Sequence, residues 1–169
     1  MDIMKVVDWI GVCAPQILFF VSCYLLWNKQ VFLNYYIIGF IINTIFNLVL
    51  KGIIRQPRPS EDIKLFNLAV NSGKRIGFDV YGMPSGHAQL AFYSTIFIYL
   101  ALKNKKIALV FLLLSMISLY QRVKYKNHTI LQVMVGSGVG ALFGYFIYYL
   151  STQKIKGKLR SKKDDNAPI

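Results

Sequence analysis

The stretch VFLNYYIIGFIINTIFNLVLKGIIRQPRP, Val31–Pro59, decides the architecture. From Val31 to Ile54 it is apolar and aromatic, and as a helix rising 1.5 Å per residue it is long enough to cross a hydrocarbon core of ~30 Å. Its few polar residues are ordered. Asn43, Asn47, Lys51 and Arg55 recur every four residues, so they share one helical face. Pro57 and Pro59 end the helix just beyond, where Arg58 follows Lys51 by two helical turns. Cations at the edge of a span commonly snorkel to the interface. Two amides leading up to these cations point instead to a polar seam turned into the protein.

The rest of the chain has the same character. Its 169 residues allow one domain; 55% are hydrophobic and only 16% charged, with a mean hydropathy of +0.45. Long apolar runs alternate with short basic stretches, which defines an all-α, polytopic transmembrane bundle. The net charge of +13 would suggest nucleic acid in a soluble protein. With spans present it points to membrane lipid or a phosphate-bearing substrate, and no nucleic-acid partner is expected. Cys13 and Cys23 both lie in the first apolar run and read as packing residues, and no Cys/His cluster has metal spacing.

Five spans are expected: about Trp9–Trp27, Val31–Ile54, His87–Leu102, Ile107–Tyr120 and Thr129–Leu150. The fourth is the shortest and can extend into its flanks. Asp2 and Asp8 beside a lone Lys5 argue against a signal peptide in the first. The loop from Arg55 to Gly86 is polar and holds Pro57, Pro59 and Pro84. Its middle, Ile63–Val70, can form a short interfacial helix. Residues 1–153 form the membrane domain, and 154–169 a basic, disordered tail.

Parity puts the loops after spans two and four on one side with the amino end. The other side receives the tail with Lys154, Lys156, Lys158, Arg160, Lys162 and Lys163. The positive-inside rule makes that side cytoplasmic. The opposite loops are basic as well, against the rule, so their charges call for a chemical purpose.

Three clusters meet on that extracytoplasmic side. Lys51 and Arg58 close span two. The run Tyr81-Gly82-Met83-Pro84-Ser85-Gly86-His87 opens span three, a helix start with free amides and a hydroxyl, which is an anion site. Gln121-Arg122-Val123-Lys124-Tyr125-Lys126-Asn127-His128 joins spans four and five, with Gln132 one turn after His128. Either histidine alone reads as structural. Both histidines of the chain, each preceded by cations on one face, read as a site. Cations and a backbone nest suit a phosphate. Two imidazoles can supply a nucleophile and an acid without a metal.

The order Lys51-x6-Arg58-Pro59, Pro84-Ser85-Gly86-His87, Arg122-x5-His128 resembles the three-part signature of the type 2 phosphatidic acid phosphatase superfamily. Three spaced blocks make this a specific match, extending from Lys51 to about Gln132. The third block begins Gln121-Arg122 where the family has Ser-Arg, and Gln132 stands where the family has Asp. The dolichyl diphosphatase branch looks like this chain at Gly82-Met83-Pro84-Ser85-x-His87-x-Gln89 and at His128-Thr129-x2-Gln132-Val133, although it usually has Ser at Gly86.

The resemblance implies a lipid phosphatase cleaving a polyprenyl diphosphate at the lumenal face, in the endoplasmic reticulum of a eukaryote, with no metal or cofactor. Carried over by position, His128 attacks phosphorus and His87 protonates the leaving oxygen. Lys51, Arg58, Ser85, Gly86 and Arg122 hold the phosphate, and Gln132 orients His128. A phosphorylated isoprenoid is the first substrate expectation and a glycerolipid such as phosphatidate the second. Phosphate transfer to another lipid, and a catalytically impaired lipid binder, are the remaining alternatives. The family core is drawn with six helices, and five are read here. Gly136, Gly140 and Gly144, spaced by four, allow close helix approach within the bundle or a homodimer, the former being the commoner use.

Overall fold

The computed structural model describes residues 3–59, 71–72 and 77–164. The expected short helix at Ile63–Val70 lies outside them. Five long helices form the body: α1 (Ile3–Leu25), α2 (Gln30–Ile54), α3 (Gly86–Leu102), α4 (Lys105–Lys124) and α5 (Ile130–Asp164). A single 3₁₀ turn, Gly77–Val80, precedes α3, and no strand occurs among the described residues.

Among the described residues, four helices are long and apolar enough to cross a membrane, namely α1, α2, α4 and the first part of α5 to Gly157. α3 has 17 residues, the lower end of the roughly 17–25 that a crossing takes. It is the central helix, packed against all four others, and most of its side chains are buried. The shortest helix is therefore α3, whereas the sequence pointed to the fourth span. α4 reaches 20 residues because Asn104 caps it, its side-chain oxygen accepting from the amides of Lys106 (3.0 Å) and Ile107 (3.2 Å). A second difference lies at the carboxyl end. The expected disorder from Lys154 is not observed up to Asp164, where α5 continues. No proline falls between Ile130 and Asp164, so the backbone has no reason to break there.

The distribution of polarity is inverted relative to a protein in water. Leu142 and Phe20 are 73% and 68% exposed, while Asn43, Gln89 and Gln132 are fully buried. Apolar side chains outside and polar ones inside are what lipid as solvent selects. The chain is a multi-pass membrane helix bundle.

Inside, hydroxyls and amides lace the helices. Tyr36 and Ser94 share a hydrogen bond of 2.7 Å, Tyr93 donates to the carbonyl of Tyr36 at 2.8 Å, and Thr95 meets Ser115 at 2.9 Å. Pro15 lacks the N–H that would bond to the carbonyl of Gly11. Ser118 on α4 donates to that carbonyl instead, at 2.9 Å.

The glycine stripe of α5 lies against α3. A Cβ at Gly136 would come 2.5 Å from the Ser85 carbonyl oxygen, one at Gly144 2.7 Å from that of Tyr93, and one at Gly140 would collide with the Gln89 carbonyl. Ser85, Gln89 and Tyr93 have the same four-residue spacing, so two helix ridges meet in register. The stripe thus serves the bundle and sets the first residues of α3 beside the start of α5.

Candidate active site

The ends of α2 and α4 and the starts of α3 and α5 converge on a cavity of about 290 Å³. Lys51, Arg58, Gly86, His87, Arg122 and His128 line it, with Leu48 and Leu90 at its apolar end. Six of the eight residues singled out in the sequence therefore face one space. Ser85 and Gln132 lie directly behind it.

The polar seam of α2 is real for three of its four members. Asn43, Asn47 and Lys51 are buried. Asn47 donates to the Gln89 side-chain oxygen (2.8 Å) and to the Pro84 carbonyl (3.2 Å), and Gln89 in turn donates to the Asn43 side chain (2.7 Å). This amide ladder joins α2 to the start of α3 and holds Lys51 at the cavity. Arg55 leaves the seam. It is the left-handed cap of α2, φ 51°, and its Nε donates to Gly52 at the surface. The helix ends there, at the position where the fourth seam residue would have turned inward.

His128 follows a tight turn after α4. The carbonyl of Arg122 accepts from the amides of both Asn127 (3.0 Å) and His128 (3.2 Å), which folds the chain back and buries the imidazole. Arg58 donates through Nη1 to Nε2 of His128 at 2.9 Å. A guanidinium can only donate, so Nε2 carries the lone pair and Nδ1 the proton. The Nδ1–H is shared between the carbonyl of Gly82 (2.8 Å) and Oε1 of Gln132 (3.3 Å). Burial, reinforced by the charges of Arg58 and Lys51, pushes the imidazole down to about 2. His128 is therefore neutral at physiological pH, with its Nε2 lone pair facing cations.

His87 is the second residue of α3, and its Nε2–H donates to the Val12 carbonyl of α1 at 3.2 Å. Its Nδ1 is left for the cavity. Ser85 is fully buried, and its hydroxyl has no hydrogen-bond partner among the described residues. A buried orphan hydroxyl beside the first amides of a helix fits an anionic oxygen.

Two residues bonded to the site escaped the sequence reading. Asp79 accepts from Lys51 and, at 3.3 Å, from Nη2 of Arg58, so a carboxylate sits between two of the cations. It lies two residues before the Tyr81–His87 run, and only its acidity within a basic loop could have marked it. Gln56 accepts from Nε2 of Gln132 at 3.0 Å and stands between Arg55 and Pro57 with no distinguishing feature.

The profile of the PAP2 superfamily matches residues 32–156, and the chain belongs to that family. It is 37% identical over 123 residues to dolichyldiphosphatase of Saccharomyces cerevisiae, covering 66% of this chain and 48% of that one. Dolichyldiphosphatase 1 of Dictyostelium discoideum is 30% identical over the same extents, and lipid A 4'-phosphatase of Helicobacter pylori is 37% identical over 100 residues, or 55% of this chain and 48% of that one. The chain thus matches about half the length of these relatives. No solved structure matches it.

Proposed function

We propose that this protein hydrolyses a polyprenyl diphosphate, of the dolichyl type, to the monophosphate. The observation that carries the reading is the neutral His128, its Nε2 lone pair aimed among Lys51, Arg58 and Arg122 with His87 across the same cavity. Nε2 attacks the terminal phosphorus and the bond from phosphorus to the bridging oxygen breaks. That oxygen leaves on the polyprenyl monophosphate, taking the proton that Nδ1 of His87 acquires when the anionic substrate enters the cavity. Lys51, Arg58, Arg122, the Ser85 hydroxyl and the Gly86 amide hold the charge on the transferring group. Two carbonyl oxygens, of Gly82 and Gln132, face the Nδ1–H of the phosphorylated ring and steady its positive charge. Water then attacks the phosphohistidine, His87 takes the proton, and inorganic phosphate departs.

The names of the two dolichyldiphosphatases support the diphosphate substrate. The Helicobacter relative supports the second reading, a phosphatase of lipid phosphate monoesters. The cationic end of α5 faces the cytoplasm and the cavity the lumen or exterior, the endoplasmic reticulum being the compartment in a eukaryote. Phosphate release by the purified protein in EDTA, from dolichyl diphosphate and phosphatidate side by side, tests the reading. Release from the diphosphate alone supports it, preference for phosphatidate favours the second reading, and release that survives His128→Ala overturns the assigned nucleophile.

A further inference from the structure

The carboxamide of Gln132 is held the right way round by groups behind it. Its Oε1 accepts from the His128 ring and from the Thr129 amide at 3.2 Å. Its Nε2 donates to the side-chain oxygen of Gln56 (3.0 Å) and to the carbonyl of Pro57 (2.9 Å). Every hydrogen-bonding direction of the amide is thus assigned, with two donors on one edge and two acceptors on the other. Reversing it would put an NH₂ group against the Nδ1–H of His128 and an oxygen against two oxygens.

The backbone of Gln56 is anchored in turn, since its carbonyl accepts from the amide of Gly82 at 2.8 Å. Gly82 is also the residue whose carbonyl receives the His128 proton, and a Cβ there would lie 2.6 Å from Oε1 of Gln132. The three residues Gln56, Pro57 and Arg58 therefore address both nitrogens of one imidazole. Arg58 meets Nε2, while Gln56 and Pro57 act on Nδ1 through Gln132.

We propose that Gln56 is a positioning residue for His128: as an obligatory hydrogen-bond acceptor it fixes the Gln132 amide, and through it the Nδ1–H tautomer, in a site built for an amide and not for a carboxylate at position 132. A carboxylate of the same length at 132 would turn one oxygen toward the Pro57 carbonyl, which cannot rotate to donate. The negative charge that a carboxylate would bring near this imidazole comes instead from Asp79, on the Arg58 side. The inference rests on the proposed catalytic role of His128.

The requirement at 56 is chemical and can be separated from bulk. Gln56→Glu keeps an acceptor, and phosphate release by the full-length protein stays within about two-fold of wild type. Gln56→Lys offers only donors, and kcat falls roughly ten-fold with KM unchanged. Gln132→Glu alone falls by a similar factor, and the double variant Gln56→Lys/Gln132→Glu recovers above either single one, because the donor at 56 now faces an acceptor at 132. Nitrogen-15 shifts of His128 report the Nδ1–H tautomer in wild type and a smaller share of it in Gln56→Lys, with or without turnover. Equal effects of Gln56→Glu and Gln56→Lys, a double variant no better than the worse single one, or an unchanged tautomer in Gln56→Lys would overturn the proposal. Absence of lipid phosphatase activity in wild type would instead sink the function proposed above, leaving the tautomer measurement to judge the lock.

Discussion

Arg58 and His128 share a hydrogen bond of 2.9 Å in which the guanidinium covers the nitrogen that would attack phosphorus. The pair satisfies the imidazole nitrogen in the resting site. A phosphate entering the cavity offers Arg58 better acceptors and, in taking them, uncovers the Nε2 lone pair. Arg58→Gln is expected to cost at least about 100-fold in kcat/KM, as loss of a charged group from a transferring phosphoryl group does. Steady-state phosphate release, with folding checked by gel filtration, measures it.

The depressed pKa of His128 sets a pH signature. With burial and two cations holding the imidazole down to about 2, the ring should take up no second proton between pH 8 and 5. The chain has only two histidines, so a Gln in place of His87 leaves one imidazole signal to follow by NMR. An ordinary midpoint near pH 6.5 would contradict the geometry.

The same shift has a sign for stability. Between the ordinary value of ~6.5 and about 2, the unfolded chain binds a proton that the folded chain does not. Stability contributed at His128 is complete above pH 6.5 and declines as the pH falls below it. Thermal unfolding in detergent should show a slope from pH 7 to 5 that is shallower in His128→Gln.

Asp79 places a carboxylate between Lys51 and Arg58, where a substrate phosphate would seek the same cations. Asp79→Asn removes that competing charge. Inhibition by inorganic phosphate should tighten by roughly two- to five-fold, the range for a partly exposed ion pair. Unchanged inhibition would show that phosphate binds without displacing Asp79.

Close approach of α3 and α5 depends on Gly140. An added methyl meets the backbone carbonyl of Gln89, which cannot move without shifting α3. Gly140→Ala should destabilise by about 1–3 kcal/mol. Gly138, with nothing within 4 Å of its Cβ position, is the control. There Ala should be neutral or raise the melting temperature, by its better helix propensity.

Much of this was legible in order along the chain. Apolar runs fix the helices because each must satisfy its own backbone in lipid, and the repeat Asn43, Asn47, Lys51 fixes which face of α2 turns inward. The spaced blocks around Lys51, His87 and His128 fixed the composition of the site. Legibility failed where a terminus depends on local geometry. Arg55 continues the four-residue repeat yet points away, because the helix closes in a left-handed residue at that position. The lysines from 154 onward look like a tail yet continue α5, because charge alone does not end a helix.

By itself, then, the sequence determined the apolar helices and the cations and imidazoles at their ends, since apolar periodicity and the placement of charge along the chain are properties of single segments. Only the tertiary structure decided how that cluster is wired. The protonated nitrogen of His128, the orientation of the Gln132 amide and the place of Asp79 each depend on a partner 20 to 80 residues away in the chain, such as Gly82, Gln56 or Lys51. Hydrogen bonds are directional and reach only about 3 Å, so their pattern is set by where helix ends meet and leaves no periodic trace in the sequence.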